Sequence, residues 1–377
     1  MHTCPVRSSM KTHQFPAFDL SHLLRTIFNP LRGENVCILI DLDDPEDVVD
    51  FAFLQNVDLT IPRKAYASFY RELHNGVMQQ LGLGRCDFYA FETTGEHNRE
   101  LPDAVLAPDG NAYILEQDIY PAYDIFLCIT SFEASAPLAA AAKKHNFRGA
   151  AMHGLNSTIL RTGLSVDYEE VSRETEILRK GMTHANSLEI DFEVDLLHYH
   201  LHIDLGLSEA HKSDGLCHIG PGIVNLPAGE VYFIPQDATG SFPIQFEDET
   251  LAIMHVDRKR VHTVTLIRGN PHIASEWQRR LDRNPSMGTL VEFSLGTQTL
   301  PFSGSEIQDE KILGTFQLGL GRNTYAQPRC PLHTPLLFSP HKTPEILVKH
   351  IRMKREGRLE LLFENYQPAP YLRHLLT

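Results

Sequence analysis

The chain has 377 residues, of which 42% are hydrophobic, 22% charged and 9% aromatic, and its formal net charge is −14. That length exceeds what one hydrophobic core organises, so two domains are expected, and the ordinary globular composition excludes a disordered or fibrous chain. The acidic balance denies the protein the basic face that nucleic acid and anionic lipid require, so neither is an expected partner.

The opening stretch MHTCPVRSSMKTHQFPAFDL holds no apolar run of signal-peptide length, and no segment reaches the roughly 18 apolar residues of a membrane span. Cys4, Cys37, Cys86, Cys128, Cys217 and Cys330 are scattered singly, which fits a reducing, cytoplasmic setting. NVCILIDL (35–42) reads as a strand covered on both faces. DDPEDVVDFAFLQ then reads as a helix, with Pro45 in its first turn and acids at the positive end of its dipole. A second strand, DIFLCIT, feeds a segment of small apolar residues and lysines. Strand followed by helix, repeated, predicts a doubly wound parallel α/β sheet.

Asp167 with Glu170 three residues on is a capping-box pattern, and Val171, Thr175, Leu178 and Met182 share one helical face. That helix bridges into a strand-rich region: DLLHYHLHIDLGL, EVYFIP, TLAIMHV, HTVTLIR, TLVEFSLGT, ILGTFQLGLG and GRLELLFE. The predicted domains are therefore 1–190, an N-terminal α/β unit, and 191–377, a C-terminal strand-rich α+β unit carrying the site.

Several residues in that region could carry chemistry. His198, His200 and His202 alternate on one strand face; they read either as zinc ligands or, given the roughly 6.5–7 Å between same-face neighbours, as a solvated face. A Pro-Ala-Gly turn delivers Glu230 to the start of a strand. Glu292 lies inside an apolar strand, where a carboxylate needs a cation, a hydrogen-bonding partner or a proton. His333 stands between two prolines, and Asp309, Glu310 and Lys311 supply an orienting pair or form an exposed turn.

In this order the segments ILRTGLSVDYEEV, NLPAGEV, LVEFSLGT and DEKILGTFQLGLG resemble the thermophilic metalloprotease family of aminopeptidases, the aminopeptidase T-like enzymes, over roughly residues 150–335. The resemblance implies an N-terminal α/β domain, a C-terminal domain with two divalent metals, release of N-terminal amino acids, a homodimer, and a peptide or small amino-acid-derived substrate. Glu230 and Glu292 fall on the family's two carboxylate ligands. The GT-x-H histidine falls on Gln317, and the H-x-D pair on His333 and Pro335; the family tyrosine falls on Thr324, with Tyr325 one place late. A neutral amide is a poor zinc ligand and proline is none, so the expected set is one metal at most (zinc, cobalt, manganese or iron), held by Glu230, Glu292 and His333, or no metal. Glu230 and Glu292 are the expected catalytic residues, with Gln317, Asn323 and Tyr325 binding substrate.

Three readings follow. The first is an aminopeptidase-like hydrolase with a one-metal site, and the second a non-catalytic protein that keeps the scaffold and presents a peptide to partner enzymes. The third is a mononuclear metal-dependent oxygenase-like enzyme, because ring-cleaving dioxygenases of dihydroxypyridine share this family's fold with a single iron.

Overall fold

A computed structural model describes residues 14–321 and 333–376, without the side chains of His333 and Leu376. In chain order the strands are β1 (Val36–Leu42), β2 (Cys86–Glu92), β3 (Ala104–Leu106), β4 (Ala112–Ile114), β5 (Ile125–Ile129), β6 (Arg148–Ala151), β7 (Ser187–Val194), β8 (Leu197–Asp204), β9 (His211–Ser213) and β10 (Gly222–Asn225). They continue with β11 (Glu230–Phe233), β12 (Asp237–Gln245), β13 (Leu251–Asp257), β14 (Arg260–Arg268), β15 (Leu290–Gly296), β16 (Phe316–Gly321), β17 (His333–Phe338), β18 (Leu347–Arg355), β19 (Arg358–Glu364) and β20 (Gln367–Pro368).

The architecture is mixed α/β, as expected. One sheet runs β10-β6-β5-β1-β2-β3-β4, and its first five strands are parallel. β1 is buried along its whole length because alternate residues enter different cores. Ile38 and Ile40 pack with Leu24, Phe28 and Phe69, whereas Cys37 and Leu39 pack with Phe126, Leu138 and Ala142. Leu138 and Ala142 belong to the helix Ser135–His145, so the predicted strand-then-helix unit forms there.

The helix read over DDPEDVVDFAFLQ is different in the structure. Pro45–Gln55 is a 3₁₀ stretch broken at Val49, Asp50 and Phe51, the last two with φ of 49° and 55°. Its apolar residues are clustered rather than spaced at 3.6, so no single helical face could bury them.

The helix Tyr168–Met182 buries Val171, Thr175, Leu178 and Met182 as predicted, and the Asp167 carboxylate caps it by accepting from the Glu169 N–H. Asp167→Ala is expected to cost about 1 kcal/mol, measured as a lower urea midpoint at unchanged slope.

Beyond that helix lie two more sheets, β14-β13-β12-β8-β7-β18-β19-β20 and β17-β16-β15-β11-β9. They face one core containing Ile190, Phe192, Phe242, Phe293, Phe316 and Phe338. β10 returns across the position 190 division to pair with β6, while β9 and β11 on either side of it belong to the second region. His198, His200 and His202 do share a strand face. They meet Glu193 at 3.7 Å, Asp191 at 2.8 Å and Glu189 at 2.6–2.8 Å on β7, so the solvated-face reading describes them. No helix among the described residues is long and apolar enough to cross a membrane.

Candidate functional site

The parallel sheet places a cleft where topology favours one. Strand order reverses between β1 and β5, and loops at the carboxyl ends of parallel strands bound such a crevice. At that edge His97 and Asn98 follow β2, Glu133 follows β5, His153 follows β6 and Asn225 ends β10. All five line a cleft of about 830 Å³ whose far wall comes from the second region.

That wall is set by strand register. Tyr232 on β11 lies opposite Ser294 on β15, which lies opposite Gln317 on β16; Glu292 lies opposite Gly319, which lies opposite Pro335 on β17. Because side chains alternate, Glu230, Tyr232, Glu292, Gln317 and Pro335 face the cleft, while Val231, Phe233, Phe293 and Phe316 enter the core. The turn before Glu230 needs its glycine: Gly229 has φ +121°, and a Cβ there would stand 2.4 Å from the Gln298 Cγ.

Of the residues expected at the site, the structure brings Glu230, Glu292 and Gln317 to one cavity. The backbone of His333 pairs with Gly321, but its side chain lies outside the described residues, as do Asn323 and Tyr325 entirely.

The segment read as an exposed turn is buried instead. Lys311 is 1% exposed, and its ammonium donates to Glu230 Oε2 at 2.8 Å and to Glu310 Oε1 at 2.5 Å. Burial alone would depress that ammonium, but the two carboxylates outweigh it and raise its affinity for the proton. Burial raises the Glu310 carboxyl well above the usual range; Lys311 offsets part of this, and Glu230 and Glu306 add to it. The Asp309 carboxylate serves the loop, accepting from the Ser303 N–H at 2.7 Å and the Gly304 N–H at 3.0 Å.

The first domain's wall is a linked polar set. Asn98 donates to Glu133 Oε2 at 2.8 Å, and Asn225 donates to Glu133 Oε1 at 3.2 Å. The Glu133 N–H donates to His97 Nδ1 at 3.1 Å, and the His97 ring stands edge-on to His153, 5.4 Å between centroids. Burial pushes the His153 imidazole down to about 4; Glu133 opposes this, while His97 and Lys311 reinforce it. His153 is therefore neutral at physiological pH. Opposite it, burial and then Glu292 and Glu230 raise the Tyr232 phenol to about 12.

Three buried polar atoms on the cleft wall have no hydrogen-bond partner among the described residues: His153 Nδ1, Asn225 Oδ1 and Gln317 Oε1. Orphaned polar atoms of this kind are rare in packed protein and expect a donor. The sequence reading passed over His153, Asn225 and Glu133. The available signal was positional, since each sits at or just beyond the carboxyl end of a β-branched or alanine-rich strand segment.

No protein-family model matches the chain, and no curated protein matches it by sequence. Among solved structures it is similar to 2,5-dihydroxypyridine dioxygenase from Pseudomonas putida KT2440, at 12% identity and TM-score 0.60, over 93% of this chain and 95% of that one. The likeness is one of fold. It corrects the aminopeptidase reading: a solved protein that shares this architecture almost end to end is a dioxygenase rather than a peptidase.

Proposed function

We propose that the protein is an oxygenase-like enzyme acting on a small hydroxylated ring compound held in the cleft between its two regions. The fold likeness to a dioxygenase supports the reaction class. The observation that carries the ligand is the set of three unpartnered polar atoms converging on one cleft. A planar compound bearing O–H or N–H groups satisfies them, and about 830 Å³ accommodates it.

The single metal expected for this class was weighed against the donors. Among the described residues no group of three or more His, Cys, Asp or Glu side chains is arranged to hold an ion. Glu230 is ion-paired to Lys311, and the positions of two family ligands carry Gln317 and Pro335. The described donors do not fit a divalent metal.

The chain's own residues divide the remaining work. Neutral His153 accepts a hydrogen bond from a ring hydroxyl at Nδ1. Tyr232 keeps its phenolic proton and donates a hydrogen bond to a ring oxygen. Glu310, whose affinity for a proton burial raises, accepts from the Lys311 ammonium and supplies the counter-charge to it in the cleft wall.

The test is oxygen uptake with a panel of dihydroxypyridines and dihydroxybenzenes, run with and without added iron(II). Uptake is expected with at least one ring compound, and His153→Gln should lower it by about 100-fold or more. A panel that is neither bound nor consumed under either condition overturns the reading.

A further inference from the structure

We infer that the Lys311 ammonium, buried behind the cleft wall and held between the Glu230 and Glu310 carboxylates that line it, takes the place of a divalent metal ion, and the chain binds its ligand without one. The ammonium lies 2.8 Å from one carboxylate and 2.5 Å from the other. These are charge-assisted hydrogen-bond distances, longer than the roughly 2.0–2.2 Å of a zinc–carboxylate bond.

The position is built into the fold. The Lys311 N–H donates to the Gln308 carbonyl at 2.9 Å, and its own carbonyl accepts from the Gln298 N–H at 2.8 Å. Gly296 packs so tightly against the backbone of 310–312 that a Cβ there would come within 2.3–2.7 Å of it. The backbone that carries Lys311 is therefore fixed, and the charge of its ammonium repels an incoming dication. Among the described residues this wall adds the Glu292 carboxylate but no imidazole, and the neutral amide of Gln317 and the ring of Pro335 stand where nitrogen and carboxylate donors would complete a site. An ammonium also satisfies the carboxylates by hydrogen bonds, so Glu230 stays oriented at the cleft whatever metals the medium contains.

The inference rests on the same cleft as the oxygenase-like reading but not on its reaction. Oxygen uptake by a metal-free chain upholds both. Uptake that requires a bound metal upholds the reading alone. A metal-free chain that neither binds nor consumes the ring compounds upholds the inference alone.

The experiment is equilibrium dialysis of the full-length chain, purified without chelator, against cobalt(II), zinc(II) and iron(II), with metal counted by elemental analysis and cobalt followed by its visible spectrum. The wild type is expected to take up no stoichiometric ion. Lys311→Ala, which leaves the two carboxylates facing an empty position, should bind cobalt at least about tenfold more tightly than wild type, and adding Glu230→Gln should abolish that gain. One stoichiometric ion on the wild-type chain overturns the inference, as does a folded Lys311→Ala protein that gains no affinity. Should Lys311→Ala fail to fold, the wild-type dialysis decides alone.

Discussion

Lys311→Met is expected to lower the free energy of unfolding by about 3–5 kcal/mol at neutral pH, the cost of removing one member of a buried ion pair. The side chain is 1% exposed and serves two carboxylates. Its deletion leaves Glu310 in a low-dielectric pocket with its charge uncompensated, beside Glu230 and Glu306, which already raise its affinity for a proton. The variant therefore gains a second signature. Glu310 must bind a proton to stay buried, so the deficit relative to wild type shrinks as the pH falls. Lys311→Met combined with Glu310→Gln removes the stranded charge and should recover part of the loss. Urea unfolding curves of the two variants measure this directly. A loss below about 1 kcal/mol, the scale of a solvent-exposed pair, contradicts the buried arrangement.

His153 gives the second large effect. Its imidazole is held neutral in the fold, down from 6.5 to about 4, first by burial. The unfolded chain takes up a proton as the pH drops below 6.5, whereas the folded chain does so only near 4. The stability this group contributes is complete above 6.5, declines through that interval and is gone below it. The fall corresponds to about 3 kcal/mol. His153→Gln has no proton to bind, so its stability should decline less than that of wild type between pH 6.5 and 4 by about that amount. Denaturation series at several pH values across the interval provide the comparison, and parallel curves for the two proteins contradict a buried neutral imidazole.

What the sequence disclosed, and what it hid, follows from the range of the interactions. β1 and the helix Tyr168–Met182 were legible because their patterns are local: an unbroken apolar run in one, four residues at 3.6 spacing in the other. Glu230, Glu292 and Gln317 were legible as a set through a family-like motif order, and strand register then brings them to one wall. β7 and β18 were passed over although the alternation in SLEIDFEV and LVKHIRMKR is itself a strand signal, with the charged residues on the outward face. The sequence left Lys311 open between an orienting role and an exposed turn, because nothing adjacent to it signals burial. Its neutralising partner Glu230 is 81 residues away, on a strand that reaches it only in the folded chain. His153 is a lone histidine in sequence, and its environment is assembled from β2, β5 and β6 loops separated by tens of residues.

The return of β10 to the first sheet bears on how a ligand gets in. The backbone passes from one half to the other between the helix Tyr168–Met182 and β7, comes back before β10, and leaves again at the Pro-Ala-Gly turn. Three strands of linker tether the halves where one would make a free hinge, and the last of them runs straight into Glu230. A wide separation of the two halves would pull on both links that flank β10, so the connection resists opening more than a single hinge would.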